Sequence, residues 1–141
     1  MKSYLIFVLL LLLISLSFVY SQTNVEIIDP GKVYGDKLYG VEMIVERIQL
    51  FFAGRGVAKA NLHIYFADER LSEVIYLANN ERFVDAEQTL IRYEQHIQLA
   101  NNEIEKANSF GLDTSQAIIT LENTLNNHVV VLELIFDKLP E

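Results

Sequence analysis

Apolar residues recur along this chain at the 3-4 spacing of a helix face, in four successive segments separated by turn residues. The first helix is predicted from Leu38 to Phe52, with Val41, Ile44, Ile48 and Phe51 on one face and Asp36 as its N-cap. Gly54-Arg55-Gly56 ends it. The second runs from Val57 to Ala78 on a stripe of Val57, Ala60, Ile64, Ala67, Leu71, Val74 and Ala78, closed by Asn79-Asn80. Its alanines allow a neighbouring helix to approach closely. The third runs from Arg82 to Asn108 on Phe83, Ala86, Leu90, Tyr93, Ile97, Ala100, Ile104 and Ala107, and breaks at Ser109-Phe110-Gly111. The fourth runs from Thr114 to Leu139 on Ile118, Leu121, Leu125, His128, Leu132, Ile135 and Leu139. Asp113 and Gln116 form its capping box, and Pro140 cannot continue it. Short loops make antiparallel neighbours, so the expected fold is all-α, an up-and-down four-helix bundle over residues 38–141. The same spacing also suits a coiled-coil seam between chains. One step resembling a tetratricopeptide turn occurs at Asn80–Glu87, but no 34-residue period repeats it.

The residues before the bundle follow a different pattern. Lys2 precedes an apolar run from Tyr4 to Phe18, broken by Ser15 and Ser17, and Val19-Tyr20-Ser21 offers a cleavage site. Residues 1–21 therefore read as a signal peptide. The alternative is an uncleaved anchor: Tyr4 to Tyr20 as a helix spans roughly 25 Å, the short edge of a bilayer span. Residues 22–37 form a lead-in with a turn at Asp29-Pro30-Gly31 and a short apolar piece at Val25–Ile28 whose pattern allows an extended conformation. The expected location is secreted or extracytoplasmic, with membrane attachment only through residues 4–20 if these are retained.

Composition removes several functions. The chain has 141 residues, 51% of them hydrophobic, 11 Lys+Arg against 19 Asp+Glu, net charge −8, and neither Cys nor Trp. Without Cys there is no disulfide framework, zinc finger or covalent c-type haem. The acidic surplus opposes nucleic-acid binding, which needs cations against phosphate. Removing the leader takes away only Lys2 among the charged groups, so the domain left behind is more acidic still.

The motifs of catalysis fail in turn. His-Glu-x-x-His and Gly-x-Ser-x-Gly are missing, and Gly54-x-Gly56-x-x-Lys59 lacks the third glycine of a dinucleotide loop. A di-iron bundle needs Glu three residues before His, but Ala60, Tyr93 and Leu125 precede His63, His96 and His128 at that distance. His128 is the polar residue within the fourth stripe and should point inward. Its structural reading is a core-edge histidine bonded to a carbonyl or a tyrosine, and leucine should then be tolerated in its place. Its functional reading is a metal or haem ligand, paired with Met43, although Met43 lies beside the first stripe rather than on it. Asp68-Glu69 with Glu73, and Glu103 with Glu105, resemble carboxylate pairs but should face water. Phe51-Phe52 suits either core packing at the bundle end or a partner anchor.

With the helices placed, the chain from Asp29 to Glu141 resembles an exported archaeal and bacterial family, the domain-of-unknown-function family number 5667. The matching features are Asp29-Pro30 followed by Leu38-Tyr39, then Arg70-Leu71-Ser72-Glu73 in an Ala/Leu-rich helix. Phe83, Ala86 and Tyr93-Glu94 follow, and His128, Val131-Leu132 and Lys138-Leu139-Pro140-Glu141 close the pattern. Lys37 departs from it, standing where the family commonly has Pro. The resemblance implies a helical exported domain and brings no catalytic residue, since the family has no established activity. The expectation is thus a non-enzymatic structural or protein-interaction module without cofactor or metal, whose partner is a protein of unknown identity and not a nucleic acid. The alternative is a small-ligand or metal/haem-binding bundle using His128, with Met43.

Overall fold

The protein is described by a computed structural model over residues 30–136. The leader, the Val25–Ile28 piece and the end of the fourth helix at Leu139 lie outside the described residues. Four helices follow one another: α1, Tyr39–Phe52; α2, Val57–Asn79; α3, Phe83–Ser109; α4, Ser115–Phe136. The described residues contain no strand, and the all-α four-helix arrangement expected from the spacing is the one observed.

The helix ends follow from local chemistry. The α2–α3 turn is closed when the Arg82 N–H donates to Leu77 O (2.9 Å) and the Glu81 N–H to Ala78 O (3.1 Å). This double closure needs a left-handed residue between them. Glu81 takes that role at φ 59°, a conformation that favours glycine. The α3–α4 turn repeats the pattern with Gly111 at φ 75°, the Leu112 N–H donating to Ala107 O at 3.1 Å. Asp113 caps α4 by accepting the Ser115 N–H at 3.0 Å. Asp36 does not cap α1: its carboxylate turns back to the Val33 N–H at 3.2 Å, and α1 starts without a side-chain cap.

The long α2–α3 hairpin is the centre. Its strands of contact are antiparallel, since Gly56 at the start of α2 donates its N–H to Glu103 near the end of α3 (3.4 Å). The alanines act as expected: Ala60, Ala67 and Ala100 are wholly buried. Ala60, Ile64, Ala100 and Ile104 pack with Ala117 and Leu121 of α4 at one end. Leu71, Val74, Leu77 and Ala86 pack with Val131 and Ile135 at the other. Helix α4 therefore runs parallel to α2 and antiparallel to α3. Val33 of the lead-in is buried in the second group.

Helix α1 departs from the expectation. Its apolar stripe does not face the core: Val41, Ile44, Ile48 and Phe51 are all exposed, Phe51 to 80% and its neighbour Phe52 to 78%. The buried residues of α1 are Tyr39 and Glu46. The helix is rotated so that the row Tyr39, Met43, Glu46, also spaced 4-3, meets the hairpin. The reason lies on α2. Beside its alanine stripe runs a second 3-4 row, His63, Phe66, Arg70, Glu73 and Leu77, and every member is buried. A buried guanidinium attracts carboxylate and hydroxyl groups more strongly than it attracts methyl groups.

Candidate functional site

Three polar clusters lie within the helices. The largest surrounds Arg70, whose side chain is 1% exposed. Its Nη2 donates to Glu46 Oε1 at 2.5 Å, and its Nη1 donates to the Tyr39 hydroxyl at 2.6 Å and pairs with Glu73 Oε1 at 3.1 Å. Met43 Sδ accepts from Arg70 Nη1 at 3.7 Å and from Arg92 Nη1 at 3.3 Å. Arg92 lies over the rings of Tyr34 and Tyr39. Helix α1 is thus fastened by long polar side chains, not by close backbone packing.

Carboxylates outnumber guanidinium groups in this cluster. Burial, followed by the charges of Glu42, Glu46 and Glu69, pushes the Glu73 carboxyl up to about 8 against the opposing pull of Arg70. Burial likewise raises Glu46 and Glu42. Burial would lower Arg70, but Glu73 and Glu46 outweigh it and raise its pKa instead. One proton held on Glu73 at neutral pH relieves the excess negative charge. Glu73 was expected to face water and is 1% exposed; it is the neighbour of Arg70 one turn on and shares its burial.

His63 and His96 form the second cluster, their Nδ1 atoms 3.1 Å apart across α2 and α3. One nitrogen donates and the other accepts, so the two rings cannot both carry a proton on Nδ1. Burial, then the neighbouring His63, holds His96 down at about 4, and burial with Lys59 lowers His63. The sequence reading singled out neither of these two as inward-facing. The signal was their place at 3-4 spacing in rows that carry Arg70 and Glu73 on α2 and Tyr93 on α3.

The third cluster holds His128. Its Nε2 lies 2.9 Å from Asp68 Oδ1 and its Nδ1 3.2 Å from the Tyr93 hydroxyl. The histidine–tyrosine bond is the structural arrangement expected for it. Burial, followed by the charges of Asp68 and Glu94, pushes the Tyr93 hydroxyl up to about 12, so it stays protonated and donates to His128. Met43 is held elsewhere, against two guanidinium groups; the structure does not bring it to His128. Among the described residues no group of three or more His, Asp or Glu side chains is placed to hold a metal ion.

Outside these clusters, two open clefts of about 510 Å³ each flank the bundle. One is apolar, between Phe83, Leu90, Leu132 and Phe136. The other is bordered by Arg55, Lys59 and Lys106 around the carboxylate of Glu103, which was expected to face water and is buried. Burial pulls the Glu103 pKa upward, but Lys106 and the Gly56 N–H hold it below the ordinary value. The outward side of α1, from Leu38 to Phe52, is an exposed apolar surface. The sequence stripe of the first helix found these residues but assigned them to the core. None of the described helices is long and apolar enough to cross a membrane.

No curated protein and no solved structure matches the chain. One family does, over residues 32–141, a span that takes in all four helices and the three polar clusters. The chain belongs to that family, the domain of unknown function DUF5667.

Proposed function

We propose that this protein is an exported, non-catalytic interaction module that docks through the outward face of α1. The observation that carries the reading is the orientation of α1, which points the row Tyr39, Met43 and Glu46 at Arg70 and its apolar row at solvent. A contiguous apolar stripe left exposed on a helix is the kind of surface that marks an interaction site. Export is supported by the leader, with its Lys2, apolar run and Val19-Tyr20-Ser21 site. A non-catalytic role is supported by the mutual pairing of most buried polar groups, although Arg70 Nε, Glu73 Oε2 and Glu42 Oε2 have no hydrogen-bond partner among the described residues. His128 uses both ring nitrogens, His63 and His96 bond each other, and Arg70 holds α1 in place.

A photo-reactive residue in place of Ile48 tests the reading in the native host. Crosslinks to an envelope component at Ile48, well above those from the same residue at the exposed Val84 of α3, are expected. Protein found inside the cytoplasm, or equal crosslinking at both positions, would overturn it.

A further inference from the structure

The docking face of α1 has a chemistry that selects among occupants. Leu38, Val41, Ile44, Val45, Ile48, Phe51 and Phe52 are exposed along it. Of the two acidic residues of the helix, Glu46 is bound by Arg70 on the other side and Glu42 is half-buried. The exposed charges along and beside the helix are cationic: Lys37 just before it, Arg47 on it and, just after it, Arg55, which also borders the Glu103 cleft. Asp36 is tied to Arg82. This is a local inversion in a chain whose net charge is −8.

We infer that α1 lies flat on an anionic lipid surface, with its apolar row at the acyl boundary and Lys37, Arg47 and Arg55 among the headgroups. The inference rests on the docking reading above and names its partner. A helix with one apolar face and a basic border has the composition of an interfacial anchor. A second copy fits less well. A two-fold contact through this face repeats the same patch on both sides, and sets one basic border against the other. The fold tolerates lipid contact here without loss, because the attachment of α1 uses its opposite side. The sequence also places the apolar run Tyr4–Tyr20 close by: residues 21–37 between it and Leu38 reach at most about 60 Å even fully extended. A retained leader would keep α1 within range of the bilayer. The contact proposed is a second one, made by the folded domain itself.

The chain contains no Trp, so one introduced Trp is a clean reporter. Full-length Phe52→Trp is mixed with phosphatidylcholine vesicles with or without phosphatidylglycerol, the acyl chains brominated to quench. Phe51→Trp serves as a second reporter, and Val84→Trp, at a position 74% exposed on α3, as the reference. A far-UV spectrum matching wild type checks each fold. The expected result is a blue shift and at least two-fold stronger quenching for both α1 reporters in the anionic vesicles than in the neutral ones. Val84→Trp should stay unquenched, which separates docking of α1 from simple tethering by the leader. Lys37→Glu with Arg47→Glu should abolish the preference for anionic lipid. Quenching at α1 no stronger than at Val84 overturns the inference. So does a blue shift that needs no vesicles and grows with protein concentration, which would mark a second copy. If the vesicles fail but Ile48 still crosslinks to an envelope protein, the docking reading stands and the lipid assignment alone falls.

Discussion

His128 stands between Asp68 and Tyr93, and its removal affects both. Leucine there adds apolar contact but strips the buried Tyr93 hydroxyl of its acceptor, so the tolerance expected from the sequence gives way to a cost. An orphaned buried donor costs roughly 1–3 kcal/mol. His128→Leu should lower stability by about that amount, whereas Tyr93→Phe with His128→Leu should recover much of it. A double-mutant cycle on denaturant midpoints checks this, and strict additivity would show that the pair does not interact. Glu81 offers the opposite case. Its left-handed conformation costs roughly 1–2 kcal/mol in a residue with a Cβ, and glycine returns part of that through its freer unfolded chain. Glu81→Gly should therefore raise stability by about 0.5–1 kcal/mol with an unchanged denaturant slope. Neither feature was fully legible in the sequence. The inward direction of His128 was, because it occupies a stripe position; its partners lie 35 and 60 residues away in the chain.

At the scale of elements, α2 and α3 are held by apolar burial, whereas α1 is held chiefly by the buried Arg70, with Arg92 beside it. The two kinds of attachment should separate in solution. Breaking a buried ion pair by deleting one partner costs about 3–5 kcal/mol, and here that loss falls on α1. Arg70→Met should leave α2 and α3 helical while the amides of α1 exchange much faster than in wild type. Hydrogen exchange read helix by helix decides it, and equal acceleration in all four helices would mean that α1 is not a separate unit. The stripes of α2 and α3 and most of that of α4 were legible because apolar burial dominates there; on α4, Ile118 is exposed and Ala117 and Val131 are buried in addition to the stripe. That of α1 misled for a physical reason: periodicity ranks faces by hydrophobicity and is blind to a buried charge on a partner helix. Glu46 and Tyr39 accept from the two terminal nitrogens of Arg70, which no arrangement of Val41, Ile44 and Ile48 could do.

Across the whole molecule, the buried titratable groups set an optimum of pH. The folded state keeps a proton on Glu73 up to about 8, whereas the unfolded chain releases it near the ordinary carboxylate value. Between those values the folded state binds more protons, so stability falls as pH rises, at up to about 1.4 kcal/mol per pH unit for one proton. The histidines act in the other direction. His63 and His96 stay neutral in the fold below the ordinary histidine value, so the unfolded chain takes up protons first and stability falls as pH drops. Stability should peak at roughly pH 6–7. Glu73→Gln should flatten the alkaline limb and leave the acid limb. Denaturant midpoints from pH 5 to 9 test this, and an unaltered alkaline limb in the variant would remove Glu73 from the account.

The sequence by itself determined the helices, their order and their ends to within a residue at each described boundary, because 3-4 periodicity and turn chemistry are local. It also determined the three faces that close the core and the absence of Cys-based chemistry. Family membership was legible in the order of soft motifs from Asp29 onward. Only the tertiary structure decided which side of α1 faces inward, that His63 meets His96, and that Arg70 gathers Glu46, Glu73 and Tyr39. Those outcomes depend on charges and hydroxyls from different helices meeting at distances of about 3 Å, where desolvation makes each unpaired group costly. A single-helix pattern carries no information about such meetings, and the docking face proposed for this protein is the surface they leave outside.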